Sequence, residues 1–147
     1  MRSIFLMLPL AACGGTGAVV DEEGCAALEG GTFTAITAGA AMDANAPAIT
    51  IDAAFTVTLP ASGAGFVSFD SMDDTEYIVF ADRSIAVDAF TPSGTKIMAQ
   101  ARATSTSVCT TVKRRDIIEL PVGPFFFALG PDPDGPVNVV LRPFNPD

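Results

Sequence analysis

The chain predicts an all-β fold, an antiparallel β-sandwich of jelly-roll-like type with about 8 to 9 strands. Three observations carry that expectation. Between residues 49 and 59 every second position is apolar (Ile49, Ile51, Ala53, Phe55, Val57, Leu59), while Thr50, Asp52, Thr56 and Thr58 take the other face. This is the period of a half-buried strand, stopped by Pro60. Short runs rich in Val, Ile, Phe and Thr recur at a spacing of about ten residues. Turn formers separate them, notably Pro60-Ala61-Ser62-Gly63, Pro92-Ser93-Gly94 and Pro131-Asp132-Pro133-Asp134-Gly135.

Taken in order, the strand candidates are residues 32–37, 49–59, 65–70, 76–81, 84–90, 96–100, 107–113, 116–120, 124–129 and 137–141. The Ala-rich stretch 35–46 suggests an irregular turn or a short helix, and no long helix is expected. Within 124–129, Phe125 and Phe127 point to one face and Phe126 to the other. One face is core; Phe126 is either covered by a neighbouring segment or left exposed as an apolar patch.

Residues 1–13 differ from the rest. Met1 and Arg2 precede a run from Ile4 to Leu10 that is apolar apart from Pro9, and small residues lead to Cys13. A basic start, a short apolar segment and small residues before a cleavage point mark an export signal, too short to span a bilayer as a helix. Leu10-Ala11-Ala12-Cys13 resembles the lipobox of bacterial lipoproteins. The resemblance implies a signal peptide over 1–12, diacylglycerol on the Cys13 thiol, and Cys13 as the new N-terminus. Two or three acyl chains exceed what stable anchoring requires, so the implied partner is a membrane held through the lipid. Gly14 follows the cysteine, and lipoproteins of Gram-negative enteric bacteria that lack Asp there go to the outer membrane. The location implied is therefore the cell envelope. The alternatives are an ordinary signal cut that leaves Cys13 as a thiol, or a first strand.

Removing twelve of 147 residues leaves enough chain for one domain with its own core. Residues 13–24, Gly-rich and then acidic at Asp21-Glu22-Glu23, are expected to form a flexible tether, and 25–147 the sandwich. Seventeen acidic against eight basic residues give a net charge of −9, which argues against nucleic acid and against direct contact with anionic headgroups. With Cys13 acylated, Cys25 and Cys109 remain, and an even pair in an oxidising compartment reads as one disulfide. Two buried free thiols are the alternative.

The chain has no His and no Trp, which removes Ser-His-Asp, Cys-His and His-metal constellations. Catalysis would fall to carboxylates, for which Asp70, Asp73, Asp74 and Glu76 are the densest cluster. A solvated turn is the commoner explanation of such a cluster, and no catalytic residue is assigned. Asp70-Ser71-Met72-Asp73-Asp74 and Asp132-Pro133-Asp134-Gly135 are candidate calcium loops, although neither completes a known calcium motif. Asp as a turn former that bonds its own backbone is the commoner explanation. Lys113-Arg114-Arg115, the one basic cluster, either grips an anion or keeps a hairpin soluble. No cofactor is called for.

Between Phe66 and Leu141 the order of Phe66-Val67-Ser68-Phe69-Asp70, Tyr77-Ile78-Val79-Phe80, Thr91-Pro92-Ser93-Gly94 and Leu120-Pro121-Val122-Gly123-Pro124-Phe125-Phe126-Phe127 resembles the bacterial pre-peptidase C-terminal domain. That family is a small β-sandwich with aromatics where Phe126 and Phe127 stand; here Thr91 and Pro92 replace its hairpin Asp. The resemblance implies an accessory, non-catalytic module. The expectation is thus an envelope lipoprotein whose sandwich binds or supports an envelope protein partner. A small-ligand or carbohydrate-binding domain that uses one sheet face or the loops around Asp73 and Asp134, with calcium as a candidate stabiliser, is the second reading. A carboxylate-dependent hydrolase is the third.

Overall fold

The computed structural model describes residues 16–132 and 134–144. In chain order its elements are α1 (Thr16–Gly30), β1 (Phe33–Thr37), β2 (Ala54–Thr58), β3 (Gly65–Ser71), β4 (Thr75–Ala81), β5 (Val87–Phe90), β6 (Lys96–Ile97), β7 (Ala101–Ala103), β8 (Arg114–Leu120), β9 (Gly123–Leu129) and β10 (Val137–Phe144). The strands form two sheets, β1-β2-β10-β4-β8-β7 and β3-β9-β5-β6. The fold is an all-β sandwich of ten strands, one or two more than expected. Every strand pair is antiparallel except β1 with β2.

The core follows from strand alternation in both sheets. Phe55, Val57, Tyr77, Val79, Ile118, Leu120, Val139 and Leu141 of the six-stranded sheet face Val67, Phe69, Val87, Phe125, Phe127 and Leu129 of the four-stranded sheet, all nearly removed from solvent. Phe125 and Phe127 lie in this core, and Phe126, on the outer face, is half-buried opposite Ser68 and Phe90. The connection 38–53 runs along the free edge of β3, with the Gly39 and Phe66 backbones paired and Ser68 bonded to Pro47 and Ile49. A parallel β1–β2 pair requires such a crossover. Met42, from this connection, reaches to 4.0 Å from the Cβ position at Gly94, in the turn between β5 and β6. The turn clusters at 60–63 and 92–94 are present, and their glycines have φ of +75° and +89°, backbone that other residues adopt only at a cost.

Two kinds of expectation are corrected here, the bounds of two strands and the tether. The alternation over 49–59 is not one strand. Ile49 bonds Ser68 on the small sheet, the chain turns at Ile51–Asp52, and only Ala54–Thr58 joins the large sheet. Both segments point the same set of side chains into one shared core, so the period of two runs straight through the turn. The segment 107–113 is likewise no strand, because Cys109 is drawn to α1 by a disulfide with Cys25.

The second correction concerns the expected tether, whose described part is helical from Thr16. Its glycines would ordinarily cost about 1 kcal/mol each in a helix. Burial offsets that cost. Val20, Cys25 and Leu28 form a stripe that packs on Ile78, Phe80 and Val140, the outward side chains of β4 and β10. Arg115 on β8 pairs with Asp21 at 2.6 Å, and Thr111 donates to Glu29 at 2.9 Å. Gly24 is required by closeness: a Cβ there would lie 2.6 Å from the Phe80 ring, which is itself fully buried. The disulfide joins positions with Cα atoms 6.0 Å apart and closes a loop of 84 residues' separation, worth about 4.5 kcal/mol in the chain-entropy account.

Gly24→Ala is expected to lower the unfolding free energy by about 1–3 kcal/mol despite the better helix propensity of Ala. Gly30→Ala, where nothing lies within 4 Å, should be neutral or stabilising. Urea titration of both variants checks this, and equal stabilities would contradict the close packing of α1.

Candidate functional site

The two sheets are joined at one end by the turn 72–74, which carries the chain from β3 to β4, and by 121–122, which carries it from β8 to β9. The Ile51–Asp52 turn and the end of β10 reach the same end. Between them is a cavity of about 490 Å³. Ile49, Ile51, Phe69, Tyr77 and Pro143 form its wall, the exposed Met72 stands on its lip, and the exposed Asp52, Asp70 and Asp73 line its rim.

The wall is rigid where the sheets cross. Phe69 and Tyr77 meet edge to face with ring centroids 5.0 Å apart, a favoured aromatic geometry. The hydroxyls of Ser71 and Tyr77 lie 3.0 Å from each other and donate to the Asp73 carbonyl oxygen at 2.9 and 3.3 Å. Every polar atom that Tyr77 brings into the interior is therefore paired, and the turn bearing Met72 and Asp73 is fixed to the core. Arg142 donates to the Ile51 carbonyl oxygen and lines a different hollow, of about 580 Å³, between α1 and β2. That hollow is walled largely by Ala26, Ala27, Gly31, Ala53 and Ala54, which offer a ligand little to grip.

The acidic loops fare differently from one another. Asp70 and Asp73 share the cavity, and Asp74 does not line it. At the opposite end Asp132 accepts Arg83 Nε at 2.5 Å and the Asp134 amide at 2.9 Å, so this candidate calcium loop is an ion-paired turn in which Asp132 bonds the neighbouring backbone. Its carboxyl is held below the usual range by the Asp134 backbone and by Arg83. Among the described residues no three metal-ligating side chains converge. The basic cluster is also divided: Arg115 is taken by Asp21 and Arg114 by Asp116, leaving Lys113 exposed.

Sequence reasoning missed a chain of charges between the sheets. Asp116, fully buried, pairs with Arg114 Nε at 2.8 Å; Arg102 lies 3.8 Å from Asp116 and 2.9 Å from Asp88 on the other sheet; Lys96 lies 3.0 Å from Asp88. The signal was the inward position of Asp116 in the alternation with Ile118 and Leu120. Burial pushes the Asp116 carboxyl up, against Arg114 and Arg102. Burial also raises Asp88, but Arg102 and Lys96 together outweigh it and leave that carboxyl below its ordinary value.

Cys13 lies outside the described residues. Cys25 and Cys109 form the expected disulfide, with Thr106 Oγ1 3.6 Å from the Cys25 sulfur. Among the described residues no helix is long and apolar enough to cross a membrane. Fold and cavity together define a disulfide-bonded β-sandwich with an apolar hollow at one end. A scan against protein-family models finds no match to this chain, and a search of curated proteins finds none either.

Two outcomes follow. Asp88 contributes stability above its unfolded value of 3.8, lost as pH falls through its lower folded value. Asp116 has the opposite sign: its contribution is full below 3.8 and is lost as pH rises through its higher folded value. In urea titrations across pH, Asp88→Asn should therefore flatten the loss below pH 3.8, and Asp116→Asn should remove a gain on acidification just above it. Parallel profiles for both variants and the parent would contradict the network. Millimolar calcium or chelator should leave the Tm unchanged, because a cation bound to the native state alone would raise it.

Proposed function

We propose that the chain is an exported, lipid-anchored envelope protein whose β-sandwich is a non-catalytic binding head. The observation that carries this reading is the cysteine pairing. Cys25 and Cys109 are joined, a bond that persists in oxidising compartments, and Cys13 in its Leu-Ala-Ala-Cys setting is the odd cysteine left for acylation. The helix that opens the described structure begins three residues after it. The head would then sit within about 15 Å of the bilayer, with the outer membrane of a Gram-negative cell as the location by resemblance.

A binding role rests on the cavity, whose size falls within the roughly 300–1,000 Å³ of small-molecule sites and whose wall is apolar and aromatic. Catalysis by its carboxylates has less support. A glycosidase-type general acid needs a carboxyl shielded from water, and Asp52, Asp70 and Asp73 are all exposed. The similarity to pre-peptidase C-terminal domains points the same way, toward an accessory module. Sugar stacking is disfavoured by the lack of Trp and the single, buried Tyr77.

Intact-mass analysis of the membrane fraction tests the anchor. The native chain should lack residues 1–12 and carry added acyl mass, and Cys13→Ala should carry none. An unacylated soluble native product would overturn the reading.

A further inference from the structure

We propose that the cavity between the sheets binds an amphiphilic cation, its apolar body against Ile49, Ile51, Phe69 and Pro143 and its ammonium group at the rim between Asp70 and Asp73. This deepens the binding role proposed above and does not depend on the lipid anchor.

The argument begins with the shape of the site. The hollow is about 490 Å³, and its floor is core side chains, with Ile49, Phe69 and Tyr77 each at most 5% exposed. A ligand entering it would be removed from water on its apolar side without any opening of the fold. Tyr77 supplies no free polar atom, since its hydroxyl is engaged by Ser71 and the Asp73 carbonyl oxygen. The floor therefore recognises apolar matter only. Met72, 75% exposed at the lip, gives an unbranched and adaptable side chain where the ligand must pass.

Charge selects the other half of the ligand. Among the described residues the lining contains three carboxylates and no Lys or Arg. Arg142, the cation nearest by sequence to this wall, is committed to the Ile51 and Leu141 carbonyl oxygens and lines the other hollow together with Asp52. Asp52 is shared with that other hollow, which leaves Asp70 and Asp73 as the carboxylates that belong to this rim alone, and no ion pair among the described residues engages either. Neither side chain is bonded to any other residue by the contacts that fix the turn, which use the Asp73 main chain instead. A fatty acid or another apolar anion would meet repulsion at this rim; an amine of the same length would be attracted, and the attraction would weaken with added salt.

The test uses the full chain carrying Cys13→Ala, so that no detergent is needed, with methyl NMR of Met and Ile as the readout. Octylammonium and octanoate, matched in length and kept below micelle-forming concentration, are titrated in turn. Octylammonium should shift the Met72, Ile49 and Ile51 methyls saturably, and bind at least about tenfold more tightly than octanoate. Asp70→Asn/Asp73→Asn, both exposed positions, should erase that preference; Glu22→Gln/Glu23→Gln, which removes the same charge on α1, should preserve it. Met72→Arg, which places a cation on the lip without touching the core, should weaken octylammonium binding about tenfold. Equal shifts by both amphiphiles, no saturable shift by either, or equal losses in the two charge-removed variants would each overturn the proposal. The acyl-mass result bears on none of these outcomes, so failure of the anchor and failure of the site are distinguishable.

Discussion

The large sheet is apolar on both faces, and most of the molecule is arranged around that constraint. From Tyr77 to Ala81 every residue of β4 is buried, and β10 repeats the pattern at Val139, Val140 and Leu141. Alternation cannot solve such a strand by covering one side. The small sheet takes Tyr77, Val79 and Leu141, and something else must cover Ile78, Phe80 and Val140. That cover is α1, and its features follow: an apolar stripe, a glycine where the Phe80 ring leaves no room for a methyl, and a disulfide and an ion pair that hold it down. A lone amphipathic helix of this length and composition would be marginal in water, so its stability comes from the sheet beneath it.

This also explains which parts of the fold were legible in the sequence. Strands that end at turn formers were found nearly in place, because β3, β8 and β9 carry an inward alternation, and β4 and β10 an apolar run, bounded by Gly, Pro or Asp. The helix was not, although the evidence was present. Tyr77-Ile78-Val79-Phe80-Ala81 is a continuous apolar run, the mark of a strand covered on both faces. A second layer had to exist, and residues 16–30, with Val20, Gly24 and Leu28 four apart, could supply it. Gly content near an expected anchor pointed the other way. The alternation over 49–59 misled for a different reason: side-chain period reports which face is inside, not which sheet the backbone belongs to.

For the site, composition excluded much and located little. The absence of His closed off whole classes of chemistry, and the acidic turn 70–74 was singled out, but its meaning depended on a neighbour that no local pattern reveals. Ile49, Ile51 and Pro143 come from segments remote in sequence, gathered because the chain changes sheet at that end. The charged chain from Lys96 to Arg114 was hidden similarly, as its members are paired across sheets.

The disulfide also determines how the domain bears load. Tension entering along α1 from its N-terminal side reaches Cys25 and passes covalently to Cys109, bypassing the chain between them. Strands β1 to β7 lie inside that closed loop and cannot be drawn out by pulling on the helix. On the helix side the residues ahead of Cys25 can pay out, about 30 Å of extended chain from the first turn of α1, while β8 to β10 follow Cys109 outside the loop. The arrangement is a short, extensible leader on a body whose first seven strands are closed into one covalent loop.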